Sequence, residues 1–370
     1  RDPEMSRGLG DVYKRQAETT QEEQTKLVKT GSMELQYAEN FTVDYYEDGY
    51  KMLTTLPDSQ RYLLVPEGQP VPQGLDEDVS ILQEPLQNIY LVASGAMDMF
   101  ASLDAVDQIR FSGQKQENWY IQTAKDAMAA GDMIYAGKYS KPDYELLVSE
   151  GCDLAIENRM ITHSPEVVEM LQSFDIPVMI EYSSYEQHPL GKVEWVKFFG
   201  ALTGKEAKAE EAFAEQTEIL EEVESGEKTG KTIAFFYVTS NGLIQVRQST
   251  DYIPKLIELA GGRYIFENLE DSGSGRSTLN MQVEDFYAGA KDADILIYNS
   301  SIDGGVTTVD ELIGKCNILK DFKAVQEGQV YCTTNDMYQQ SMAVGYLLQD
   351  MHTVLTDDDT AKLRYLFLLQ

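Results

Sequence analysis

The sequence is poor in the residues that build covalent and metal-centred chemistry. It has three cysteines, Cys152, Cys316 and Cys332, and three histidines, His163, His188 and His352. No two cysteines form a CxxC pair, and an odd number cannot complete a disulfide framework. Scattered in this way, they do not supply a structural zinc site. Positive charge is also scarce: 30 Lys+Arg stand against 62 Asp+Glu, a formal net charge of −32 at pH 7. A field of that sign repels phosphate backbones and anionic lipid surfaces, which argues against a nucleic-acid binder and leaves room for a local basic pocket. Long apolar runs are missing, so no segment reads as a bilayer-spanning helix.

Catalytic signatures are missing as well. There is no GxSxG elbow, no Walker loop and no GxGxxG after a strand. The glycine-rich stretch at residues 271–276 lacks the Lys-Ser/Thr that would follow a phosphate cradle and reads as a surface loop. His163 and His188 follow candidate strands as general-base candidates, but each stands without a positioned nucleophile. Cys152 precedes a strand and reads as a small packing residue. No catalytic residue, no metal site and no cofactor is therefore assigned.

What is present is globular: 42% apolar and 25% charged residues in a chain of 370, too long for one ordinary core and comfortable for two domains. Residues 1–16 (RDPEMSRGLGDVYKRQ) resemble a translated sequencing-adapter read and are set aside. On that reading the natural N-terminus lies upstream, and a signal sequence is not expected to be visible. Residues 17–32 read as a polar tether. Residues 33–84 carry alternating, aromatic-rich pieces (FTVDYY, YKMLTTL, RYLLVP) parted by Asp48-Gly49 and Pro57-Asp58, which predicts a small N-terminal β segment.

From residue 85 the pattern changes. Short apolar runs at 88–93, 154–156 and 177–181 alternate with helical spacing at 97–106, 143–150 and 165–174, which predicts an N-terminal α/β lobe over 85–189. A connecting helical region follows at 190–228, divided at Gly204. Residues 206–225 are rich in Ala, Glu and Lys and make roughly 30 Å of helix, enough for a stiff strut between lobes. A C-terminal α/β lobe is predicted over 229–370, with strands at 232–238, 294–298 and 329–332. Its predicted helices are 252–260, ended by Gly261-Gly262, then 283–290 and 339–355. The fold class is thus α/β: two lobes, each with a mainly parallel sheet flanked by helices, joined by a long inter-lobe helix.

Two segments resemble each other across the midpoint. PDYELLVSEGCDLAIEN (142–158) places Glu145 early on a helix, then Asp153, then a strand. MQVEDFYAGAKDADILIYNSS (281–301) does the same with Glu284 and Asp294. Loops after strand carboxyl ends form the ligand crevice of open α/β sheets, so two such lobes face each other across a cleft. The candidate ligand-binding residues are Ser94, Met97, Trp119, Tyr120, Tyr139, Asn158, Arg159, Tyr182 and Ser184 in the first lobe. In the second they are Tyr237, Asn241, Arg247, Asn299, Ser300, Asn335 and Tyr338. Flat aromatics with a few arginines suit a large organic or anionic metal complex. One exposed carboxylate per lobe, Glu145 and Glu284, makes a two-point dock for a basic partner, although the helix dipole alone also favours Glu there.

The segment 142–158, HPLGKVEWVKFFGALTGKEAKAEEAF (188–213), KTIAFFYVTSNGLIQVRQSTDYIPKLIELAGGRYIF (231–266) and DFKAVQEGQVYCTTNDMY (321–338) together resemble the substrate-binding proteins of ABC importers for iron–siderophore, haem and cobalamin complexes, the class III periplasmic binding proteins. The resemblance covers roughly residues 85–355. It implies a monomeric, extracytoplasmic binding protein anchored as a lipoprotein, with the ligand between the lobes. It also implies a transmembrane ABC permease and its ATPase as partners, with Glu145 and Glu284 as the permease-docking carboxylates. A ferric siderophore is the first expectation for the ligand, with haem and cobalamin as alternatives. A metal-cluster oxidoreductase of similar build and a surface sensor or adhesin reusing the fold are the competing readings.

Overall fold

A computed structural model describes residues 27–269, 277–300, 303–358 and 360–370. The adapter-like segment, most of the tether and the glycine-rich stretch 271–276 lie outside the described residues. Three large sheets organise the rest, one of five strands at the N-terminus, one of five in the first lobe and one of seven in the second, beside a two-stranded ribbon of Gly137–Lys138 with Lys141–Pro142.

The N-terminal sheet is larger than a meander. Lys29–Ser32, Phe41–Tyr46, Lys51–Thr55 and Gln60–Val65 pair antiparallel in sequence order, and Val79–Gln83 then adds in parallel to Gln60–Val65. Residues 29–32, expected as the end of the tether, are an edge strand instead. Its own side chains are all exposed, so pairing with Phe41–Tyr46, not an apolar face, holds it in place. The sheet packs on the helix Pro189–Thr203: the Phe41 ring meets Trp195 edge-on at 4.9 Å and Phe198 at 5.3 Å.

The first-lobe sheet is parallel throughout. Its order is Val178–Glu181, Leu154–Asn158, Ile89–Leu91, Ile109–Ser112 and Ile134–Tyr135. Its central strands are buried on both faces, which is why LAI (154–156) and IYL read as unbroken apolar runs. Helices cover it, among them Ala96–Ser102, Tyr144–Ser149 and Pro165–Ser173, the last opened by Pro at its first position.

The second-lobe sheet is mixed. Thr232–Val238, Ile295–Tyr298 and Val330–Thr333 are parallel neighbours, as the sequence indicated. Ile244–Arg247, Thr278–Met281 and Leu366–Leu368 join antiparallel, and Arg263–Tyr264 adds a short parallel pairing.

Between the lobes the chain makes two helices, Pro189–Thr203 and Glu206–Glu224. Gly204 divides them with φ +69, a left-handed conformation that suits glycine. The second helix is not a free-standing strut. Ala209, Phe213, Gln216, Leu220 and Val223 form a buried stripe, and it packs along Pro189–Thr203 on one side and Val344–Thr356 on the other. One continuous apolar cluster therefore runs from Leu91 of the first lobe through Phe199 and Phe213 to Ile233 and Leu348 of the second. The lobes share a core, which resists large hinge motion.

Candidate functional site

The carboxyl ends of three parallel strands of the first lobe open onto one cavity of about 240 Å³. Ala93, Ser94 and Gly95 follow Ile89–Leu91; Asn158, Arg159 and Met160 end and follow Leu154–Asn158; Glu181, Ser183, Ser184 and Tyr185 end and follow Val178–Glu181. Lys192 closes the floor from the inter-lobe helix, and Tyr338 and Ser341 form the wall contributed by the second lobe.

Local chemistry fixes each wall. Asn158 Oδ1 accepts from the Met160 backbone N–H at 2.8 Å and starts a helical turn, which carries Arg159 out over the Tyr185 ring at 4.6 Å. Tyr185 in turn stands edge-on to Tyr182 at 6.4 Å. Glu181 Oε1 accepts from Ser183 N–H at 2.6 Å. Burial raises the Glu181 pKa against the pull of that bond and of the Lys192 charge. Lys192 is 7% exposed, lies 4.7 Å over the Tyr252 ring and has no carboxylate within ion-pair distance among the described residues. Across the cleft, Asp98 accepts from Met342 N–H at 2.7 Å; burial pushes its carboxyl up to about 6, opposed by that donor and by Lys192.

Five of the sequence candidates therefore meet in one cavity: Ser94, Asn158, Arg159, Ser184 and Tyr338. Tyr120 joins at the rim, its ring edge-on to Tyr338 at 6.5 Å. The others do not line it. Met97 is fully buried in the core, and so is Trp119, whose indole N–H donates to Ser112 Oγ at 3.0 Å. Tyr182 is buried, and Tyr139 packs on the opposite face of the first-lobe sheet. Tyr237 packs near Tyr298, and Asn241 accepts from Thr239 Oγ1 in an exposed turn. Arg247 is committed to Asp251 at 3.5 Å and to the Phe235 ring. Asn299 is buried, and Ser300 stitches two strand ends together by donating to the Thr333 carbonyl. Asn335 is half-buried in the loop after Val330–Thr333. Glu145 and Glu284 are both exposed in the first turns of their helices.

Sequence reasoning missed Lys192, Glu181 and Ser341. A usable signal existed for Lys192, one of three charged residues, with Glu194 and Lys197, set among the large apolar side chains Val193, Trp195 and Phe198. A second cavity of about 340 Å³ is lined by Tyr37, Glu39, His188, Asp251 and Lys255 among others. It sits at two helix starts rather than at strand carboxyl ends. His188 caps one of them, its Nδ1 accepting from Leu190 N–H at 3.1 Å, and burial lowers its pKa. That capping role accounts for the imidazole without a catalytic one.

Comparison with known proteins follows the same outline. Residues 93–337, well over half of the chain, match the periplasmic binding protein family. An uncharacterized lipoprotein of Methanocaldococcus jannaschii is 24% identical over 352 residues, covering 87% of this chain and 81% of the relative. Among solved structures, the periplasmic haem-binding protein HutB of Vibrio cholerae superposes with a TM-score of 0.57 at 14% identity, over 72% of this chain and 98% of that one. The periplasmic catecholate-siderophore binding protein VctP of the same organism gives 0.57 at 13%, over 73% and 94%. With its family match and its two lobes around a cleft at the strand ends, the chain belongs to the periplasmic binding protein family, whose members bind substrates rather than convert them.

Proposed function

We propose that the protein is the extracytoplasmic solute-binding component of an ABC importer, and that it carries an iron complex in the inter-lobe cavity to a permease. The observation that carries this reading is the rim: Arg159 stacked on Tyr185 of the first lobe lines the same cavity as Tyr338 of the second, whose ring meets the first-lobe Tyr120 edge-on. Such a rim offers stacking surface and positive charge to a flat, anionic complex. A ferric siderophore fits that combination first, with haem and cobalamin as alternatives. VctP and HutB, named for catecholate siderophore and haem, support the ligand class by their shared fold.

Glu145 and Glu284 are the proposed permease contacts, one exposed carboxylate on each lobe, and the partner is the permease with its ATPase. Attachment to the membrane as a lipoprotein is supported by the two M. jannaschii relatives that are named as lipoproteins, and the protein is proposed to act as a monomer. No helix of the described residues is long and apolar enough to cross a membrane.

The test is a titration panel of a ferric tris-catecholate, a ferric hydroxamate, haem and cyanocobalamin, read by quenching of the two tryptophans. At least one complex quenches at micromolar concentration or below and raises the melting temperature. Silence across the panel in both readouts would remove the reading.

A further inference from the structure

The second-lobe wall of the cavity is a loop, residues 334–343, that follows the strand Val330–Thr333 and is fastened to the opposite lobe. The fastening is largely one side chain. Gln339 is fully buried, and both its amide atoms are bonded: Oε1 accepts from the Tyr120 backbone N–H at 2.8 Å, and Nε2 donates to the Asn118 carbonyl at 2.8 Å and to Tyr338 Oη at 3.0 Å. The first two bonds copy the donor–acceptor pair that a neighbouring strand would offer residues 118–120. The third reaches the phenol that lines the cavity. Tyr120, held by the same amide, then supports the Tyr338 ring edge-on.

Two further ties act on the same loop. Met342 N–H is bound by Asp98, and a Cβ on Gly95 would come within 3.1 Å of Ser341 Oγ, so the backbone there approaches the loop closely. Ser341 Oγ is buried, has no hydrogen-bond partner among the described residues, and belongs to a residue lining the cavity. The loop thus sets the Tyr338 ring at the cavity wall and keeps beside it a buried hydroxyl without a partner among the described residues.

We infer that Gln339 is a positioning residue for ligand binding: its buried amide joins the two lobes and sets the Tyr338 phenol and ring at the cavity wall. This rests on the cleft being the ligand site. Gln339 itself touches no ligand and acts through Tyr338. Its alternative role, stitching the lobes without influence on the ring, makes a different forecast.

The experiment uses the full chain labelled with 3-fluorotyrosine, with the Tyr338 resonance assigned by Tyr338→Phe. Gln339→Met keeps the length and removes all three bonds. Gln339→Glu keeps the acceptor for Tyr120 and loses both donors, so it serves where the first variant folds poorly. In either variant the Tyr338 fluorine resonance shifts and broadens. Affinity for the ferric tris-catecholate, or for haem where haem binds the wild type more tightly, falls about tenfold. In the Tyr338→Phe background the further loss on Gln339→Met drops below about threefold, because both changes break one contact. An unmoved Tyr338 resonance, or losses that simply multiply, overturns the inference. A wild type that binds no probe overturns the ligand reading instead, and the fluorine spectra still decide the positioning.

Discussion

Asp153 and Asp294 hold the same station in the two lobes. Each directly precedes a parallel strand and binds the backbone where the neighbouring strand begins. Asp153 accepts from Gln87 and Asn88 N–H at 2.9 and 2.8 Å, and Asp294 accepts from Thr232 N–H at 2.7 Å. The likeness of segments 142–158 and 281–301 thus has a physical content: a carboxylate that fixes the register of two central strands. Burial raises the Asp294 pKa, but the Lys323 ammonium and the Thr232 donors outweigh it and hold the carboxyl below its usual range. The folded state therefore prefers the carboxylate, and this stabilisation is present above about pH 4 and lost as the pH falls below it. Asp294→Ala should cost about 1.5–3 kcal/mol at pH 7. Urea unfolding at pH 7, 4 and 3 checks it: the gap between wild type and variant should close with acid, and a constant gap would contradict the assignment.

The N-terminal sheet is held by a comparable device. Glu194, fully buried on the inter-lobe helix, accepts from Gln36, Tyr37 and Ala38 N–H at 2.8–3.1 Å. Glu186 continues the series with Glu39 and Asn40, both at 3.0 Å, and also takes the Trp195 indole N–H. Consecutive backbone donors wrapped around two carboxylates make an anion nest in which the anion is the protein's own. Glu194→Ala leaves the three backbone N–H groups without their acceptor, while Lys197, 3.3 Å from Glu194, keeps Glu210 at 3.1 Å. The expected cost is about 3–5 kcal/mol from the backbone donors left unpaired, with faster proteolysis near residues 36–40. An unchanged urea midpoint and cleavage pattern would refute the latch.

Much of this architecture was legible because it rests on local signals. Pro165, Pro189 and Gly204 mark helix limits in sequence and in space. Double-sided burial makes the parallel strands read as apolar runs. The antiparallel strands Ile244–Arg247 and Thr278–Met281 were not read: IQVR and TLNM are only four residues each, too short for their alternation to stand out from the flanking loops. The site divides in the same way. Ser94, Asn158, Arg159 and Ser184 follow from the rule that strand carboxyl ends carry the crevice. Arg247 fails it because it ends a strand that runs antiparallel to its neighbours. Gln339 has no local signature at all, since its partners lie 219 and 221 residues away along the chain.

At the rim, Arg159 is the group whose removal tests the charge of the ligand. Arg159→Ala should weaken an anionic ferric tris-catecholate by about 10–100-fold and a neutral ferric hydroxamate by less than about threefold, because a charge-assisted contact is lost only in the first case. The wild-type preference should also shrink at high salt. Titrations of both complexes at low and high ionic strength check this. Equal losses for the two would assign Arg159 to shape rather than charge.

Below the cleft floor, Glu157 sits fully buried with neither carboxyl oxygen hydrogen-bonded among the described residues. Along its strand it shares a face with Ala155, which packs among Tyr90, Leu147 and Val167. Burial pushes its pKa up to about 8. The folded state thus holds the proton more tightly than the unfolded chain, whose Glu titrates near 4.3. Stability from the neutral carboxyl is complete below that value and is lost as the pH rises through about 8. Glu157→Leu removes the titration at similar volume. Relative to wild type, the variant should gain stability progressively between pH 5 and 8.5, by on the order of 3 kcal/mol at the upper end. Denaturant midpoints measured across that range isolate the effect, because every other titrating group is common to both proteins. Parallel profiles would mean that the carboxyl ionises freely and that water reaches it.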